Sequence, residues 1–90
     1  MPRIEEELVI KNQLGMHLRP AQRFVQTVLK FQSDVHVHKG DQRVNAKSIM
    51  GLLTLAAACG TRLLVICEGD DAEEALRAVK DLIESGFGES

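Results

Sequence analysis

His17 stands in the run Gly15-Met16-His17-Leu18-Arg19-Pro20, between a strand-like segment and a helix-like one. An imidazole nitrogen with a free lone pair is a nucleophile that can take up a phosphoryl group. Arg19 can set a planar guanidinium beside the transferred group and share its charge. A histidine just ahead of a helix also lies beside backbone N–H groups that have no partner inside the helix. Those donors and the positive end of the helix dipole make an anion site around the ring. Pro20 falls in the first turn, where a missing N–H costs little, and Gly15 allows a tight turn close to an anion. The same residues also admit a plainer role, a histidine that only caps the helix, and local chemistry leaves both readings open.

The elements around this run follow from hydrophobic periodicity. Leu8-Val9-Ile10 favours a strand. Ala21, Phe24, Val25, Val28 and Leu29 form one stripe of an amphipathic helix. From Asp34 to Lys39, Val35 and Val37 alternate with His36 and His38, the period of a half-buried strand. Gly40-Asp41 signals a turn, and Gln42 to Ala46 reads as a shorter strand. Ser48 is a candidate N-cap for a compact helix carrying Ile49, Met50, Leu52, Leu53 and Leu55. Arg62 to Glu68 is a fourth, very apolar strand. Asp70 or Asp71 caps a last helix whose stripe is Ala75, Leu76, Val79, Leu82 and Ile83, with Glu73 and Glu74 near its positive end. Gly86 ends that helix, and Phe87 is expected to fold back onto the core. The order is βαββαβα, an α+β pattern with helices on one face of an antiparallel sheet.

Residues 1–90 are read as one domain with one modest core. A composition 44% hydrophobic and 27% charged is that of a soluble globular protein. The net charge of −2 gives no global reason to bind nucleic acid or an anionic membrane. With no Trp, no Tyr and three Phe, base-stacking platforms are lacking, so nucleic-acid binding is not expected. The acidic amino-terminal stretch is not expected to act as a signal peptide, and no run approaches the roughly 18 apolar residues of a membrane span, so direct membrane insertion is not expected. Cys59 and Cys67 do not form a disulfide framework and are expected to be reduced, which points to the cytoplasm.

The run Gly15 to Ala21 resembles the active-site loop of the HPr family, the histidine-containing phosphocarriers of the bacterial phosphoenolpyruvate-dependent sugar phosphotransferase system. A second run, Ala46-Lys47-Ser48-Ile49-Met50-Gly51-Leu52-Leu53-Thr54-Leu55, also resembles that family, as do Phe24-Val25, Phe31 to Val37, Gly60-Thr61 and the helix after Gly69-Asp70-Asp71. The resemblance covers residues 4 to 88 without a gap. It implies an open-faced β-sandwich, a four-stranded antiparallel sheet in the order 1-4-2-3 with three helices on one face. It implies that His17 takes a phosphoryl group from enzyme I on Nδ1 and passes it to IIA components of sugar permeases. Arg19 would stabilise the anion, with the backbone N–H groups of Leu18 and Arg19 as further contacts. The chain would be a stoichiometric carrier, not an enzyme, with no cofactor and no metal, and a monomer is expected. Position 18 is often alanine or threonine in relatives, so Leu18 bears on recognition more than on the backbone role.

Arg23, Ile49, Met50 and Leu53 are the docking residues that the resemblance implies, although Gln26 and Leu29 fall where some relatives carry lysine. Ser48 matches the serine phosphorylated by HPr kinase/phosphorylase in many bacteria. Phosphate at a helix N-cap is electrostatically tolerable, and its charge beside the apolar patch would oppose docking. The alternative within the fold is a regulatory module of the catabolite-repression or nitrogen-related branch, acting by binding partners such as a transcriptional regulator. The Ala46 to Gly51 run favours the sugar-type carrier over the nitrogen branch. His36 and His38 share a strand face without further metal-spaced ligands, and a solvated face is expected there. Capping explains Asp70, Asp71, Glu73 and Glu74 without acid–base catalysis. If Leu63, Val65 and Cys67 face the helices, Leu64 and Ile66 face away, where Val9 could join them as scattered surface residues or as a self-association face.

Overall fold

The computed structural model describes residues Pro2 to Glu89. Seven elements follow in the expected order: β1 (Arg3–Val9), α1 (Leu18–Val28), β2 (Asp34–Lys39), β3 (Gln42–Asn45), α2 (Ile49–Thr54), β4 (Arg62–Glu68) and α3 (Ala72–Glu84), with a short 3-10 turn at Gly86–Gly88. The four strands form one sheet in the order β1-β4-β2-β3, and every pairing is antiparallel. This is the α+β arrangement with the strand order that the family resemblance implies.

Strand alternation sends two sets of side chains to opposite faces. Leu8, Val35, Val37, Leu63, Val65 and Cys67 are buried toward the helices. They form one cluster with Phe24, Val25 and Val28 of α1, Leu52 of α2, and Ala75, Leu76, Val79 and Ile83 of α3. Burial, with the charge of Asp71 adding to it, pushes the Cys67 thiol up to about 11. At the sheet's edge Glu6 also points to the helical side and pairs with Lys80 of α3 at 3.0 Å.

The opposite face is open and mixed. Glu5, Ile66, His36 and Asn45 make one cross-strand row, and Glu7, Leu64, His38 and Arg43 make the next. Leu64 and Ile66 therefore do face away from the helices, but polar neighbours flank them, and Ile66 is only 7% exposed. Val9 lies on the same side opposite Arg62, at the sheet's end. His36 and His38 are half-buried rather than solvated, and the buried Nε2 atom of His38 has no hydrogen-bond partner among the described residues. Among the described residues no group of three or more His, Cys, Asp or Glu is placed to hold a metal ion. No described helix is long and apolar enough to cross a membrane.

Three local expectations change. β3 stops at Asn45, and Ala46 instead turns inward with its N–H on the carbonyl of Val35 at 2.8 Å. Leu29 is the C-cap of α1 and is 61% exposed, because the apolar stripe ends at Val28. Asp71 occupies the N-cap position of α3 but does not cap it through its side chain. Its carboxylate accepts from the backbone N–H of Gln32 at 2.8 Å, from that of Ser33 at 2.9 Å and from the Ser33 hydroxyl at 2.5 Å. Three donors on the α1–β2 loop outcompete the helix's own amides for one carboxylate.

After α3 the chain reverses through Gly86, Phe87 and Gly88, whose φ values are +66°, +57° and +72°. A left-handed conformation at a residue with a Cβ costs about 1–2 kcal/mol. Burying a phenyl ring returns about 1.5–3 kcal/mol, so the turn is sustained by its own side chain. Phe87 is fully buried, with its ring centroid 6.4 Å from that of Phe24, as the fold-back expectation requires.

Candidate functional site

The loop between β1 and α1 carries His17, and its shape is set by Asn12 and Gly15. The N–H of Gly15 reaches the carbonyl of Asn12 at 3.1 Å, and the Asn12 side-chain amide returns to the carbonyl of Gly15 at 2.7 Å. Asn12 is 2% exposed, so this reciprocal turn is an interior feature. Gly15 has a φ of +73°, and a Cβ there would meet the carbonyl oxygen of Ala57 at 2.4 Å. Both the turn and the close approach require glycine.

His17 is the N-cap residue of α1 by position, with extended backbone (φ −96°, ψ −168°) and no side-chain capping bond. The capping role left open by local chemistry is thus not the one the ring performs. Its Nε2 lies 3.2 Å from Oε1 of Glu89, and the ring remains 38% exposed. A carboxylate can only accept, so Nε2 carries the proton, and in the neutral ring the lone pair sits on Nδ1. Leu18 and Arg19 open α1, where first-turn amides have no intrahelical partner. Pro20 follows in the same turn and is buried.

Glu89 also accepts from the Asn12 amide at 3.1 Å. Partial burial works to raise its carboxyl, but hydrogen bonds from His17 and Asn12 and the neighbouring positive charges outweigh this. The group is held below its ordinary value. A shallow groove beside it is lined by Gln13, Leu14, Arg19, Arg23, Gly88 and Glu89. Arg19 is exposed in that groove. Arg23, expected only at the docking surface, donates to the carbonyl of Phe87 and so also holds the turn after α3.

Ser48 caps α2, accepting the N–H of Gly51 at 3.0 Å, and it is exposed. Met50 is 71% exposed, while Ile49 and Leu53 are half-buried against the core. Leu18 and Leu14 are 54% and 75% exposed. The site thus brings together His17, Arg19 and the amides of Leu18 and Arg19, while Ser48 lies on the neighbouring helix; α1 and α2 pack together.

Sequence reasoning missed Asn12, Leu14 and Glu89. The Asn-x-x-Gly spacing of residues 12 to 15 is a turn signal that could have found Asn12. Leu14, an apolar residue in a polar loop, could have been noticed as a contact residue. For Glu89 the sequence holds no sign, because its partner His17 is 72 residues away.

Comparison with known proteins places the chain in a family. The PTS-HPr family profile, described as "PTS HPr component phosphorylation site", matches residues 4–85. A phosphocarrier protein HPr of Neisseria meningitidis is 49% identical over 86 residues, covering 96% of this chain and 97% of the relative. The HPr-like protein Crh of Bacillus subtilis is 42% identical over 73 residues, covering 81% of this chain and 86% of that protein. The crystal structure of HPr-C-His from Thermoanaerobacter tengcongensis superposes with a TM-score of 0.93 at 50% identity, covering 97% of this chain and 98% of that one.

Proposed function

The chain belongs to the HPr family, and from that premise we propose that His17 is its phosphoryl acceptor and donor. The group arrives from phosphorylated enzyme I and leaves for the IIA components of sugar permeases. The observation that carries this reading is the Nε2 contact to Glu89, which leaves Nδ1 as the nucleophilic nitrogen beside the first turn of α1. The Nδ1 lone pair forms the bond to phosphorus as the donor's bond to phosphorus breaks. Arg19 and the amides of Leu18 and Arg19 take up the charge of the phosphoryl oxygens. The protein is consumed and regenerated, and needs no metal or organic cofactor for this step. On this reading it works in the cytoplasm as a monomer.

Docking rests on Met50, Ile49 and Leu53 with Arg23, extended by exposed Leu18 and Leu14. Phosphorylation of Ser48 by HPr kinase/phosphorylase would put a dianion at the edge of this patch and weaken docking. Similarity to an HPr-like Crh protein favours a second reading, a regulatory module in which that phosphoserine recruits a transcriptional regulator.

Intact-mass analysis after incubation with phosphoenolpyruvate and enzyme I tests the carrier reading. One acid-labile phosphoryl group is expected, absent in His17→Ala; an unmodified wild type with several enzyme I preparations overturns it. Incubation with ATP and the kinase should add a separate acid-stable phosphate that Ser48→Ala removes.

A further inference from the structure

The carboxylate against the His17 ring is delivered by a segment with several independent anchors. Phe87 is buried in spite of its left-handed backbone, between two glycines that share it. Arg23 donates to the Phe87 carbonyl, and Gly88 packs so closely on Arg23 that a Cβ would stand 2.7 Å from a guanidinium nitrogen. Glu89 follows with its side chain only 17% exposed. Oε1 lies 3.2 Å from Nε2 of His17 and 3.1 Å from the amide of Asn12, which itself reaches Gly15 at 2.7 Å. The loop that carries the histidine therefore grips the carboxylate from two sides.

We propose that Glu89 is a positioning residue for phosphoryl transfer: it keeps the proton on Nε2, directs the lone pair to Nδ1, and stabilises the cationic ring that phosphorylation creates. This deepens the carrier reading and rests on it. When Nδ1 attacks, its electron pair becomes the N–P bond, and the electron pair of the donor's bond to phosphorus departs with the donor. The Nε2 proton stays, so the phosphorylated ring bears a positive charge next to the Glu89 carboxylate. In the onward step the N–P bond breaks, and its electron pair returns to Nδ1. The leaving group is then a neutral imidazole that still carries its Nε2 proton. Loss of that proton beforehand would make the leaving group an imidazolate, a far poorer one. Arg19 and Arg23 of α1 line the same groove and oppose a cationic ring, and Glu89 supplies the counter-charge.

The test uses the full chain as wild type, Glu89→Gln and Glu89→Ala. Glutamine keeps an acceptor oxygen at the same reach and removes only the charge. Rapid-quench transfer from phosphorylated enzyme I gives the rate, and 15N NMR of the phosphorylated ring gives the pH at which Nε2 loses its proton. Glu89→Gln is expected to accept the group about tenfold more slowly and to lose the Nε2 proton about one pH unit lower, with an unchanged amide spectrum elsewhere. Equal rates and equal proton loss in wild type and Glu89→Gln overturn the proposal while the carrier reading stands. A defect in Glu89→Ala with wild-type behaviour in Glu89→Gln also overturns it as stated, since the carboxylate's charge would then have no part in the transfer. A wild type that accepts no phosphoryl group defeats the carrier reading first, and this inference with it.

Discussion

The backbone N–H of Met16 donates to the carbonyl of Ala57 at 2.7 Å, tying the histidine loop to the segment that follows α2. The same carbonyl oxygen lies 2.4 Å from the point where a Cβ on Gly15 would stand. One backbone atom thus fixes both the course of the loop and the identity of the residue before Met16.

Gly15→Ala should therefore force the two segments apart and strain a φ of +73°. The expected loss is about 2 kcal/mol of stability in urea unfolding, with slower phosphoryl acceptance at His17. A variant that unfolds like wild type would show that the contact does not constrain the loop.

Ser48→Ala removes the acceptor for the Gly51 N–H. Helix N-caps of this kind contribute about 1 kcal/mol, so a loss of that size is expected by denaturant titration. Ser48→Asp keeps a capping oxygen and should recover most of it, which separates the capping role from any modification of the hydroxyl.

Asp71 is held below its ordinary value, chiefly by the Ser33 hydroxyl and then by the Gln32 amide. Its folded-state pKa is lower than its unfolded one, so its contribution is complete above the unfolded value of about 3.9. That contribution disappears as pH falls through the lowered folded value. The stability advantage of wild type over Asp71→Asn should be constant from neutral pH down to mildly acidic pH and shrink below about pH 4. An advantage that grows on acidification would contradict the assignment.

The two thiols should differ in reactivity. Cys67 is fully buried and raised to about 11, whereas Cys59 is exposed. Iodoacetamide at about pH 8 is expected to alkylate Cys59 alone in the folded protein and both residues in denaturant, read by peptide mass. Rapid labelling of Cys67 in the native state would mean that β4 opens readily.

Much of the architecture was written in short-range patterns. The strand of Val35 and Val37, the α1 stripe of Phe24, Val25 and Val28, and the cap at Ser48 each depend on residues within one or two turns. Errors arose where a side chain had a choice of partners. Asp71 stands where a cap belongs, but the α1–β2 loop offers it three donors at once. At Arg23 the sequence was silent rather than wrong, for its bond to the Phe87 carbonyl joins segments far apart in the chain. His36 and His38 alternate as a solvated face would, yet their cross-strand neighbours half-bury them.

At the site itself, the sequence determined that a histidine and an arginine precede a helix whose first amides are free, since capping and dipole are properties of adjacent residues. The role proposed for His17 came through family resemblance. Tertiary structure alone decided which group meets Nε2 of His17. Its partner Glu89 is brought across 72 positions by the burial of Phe87 and the reversal of the chain after α3. A helical period reports a side chain's face, but a contact between distant segments exists only once the core has closed and placed both chains against it.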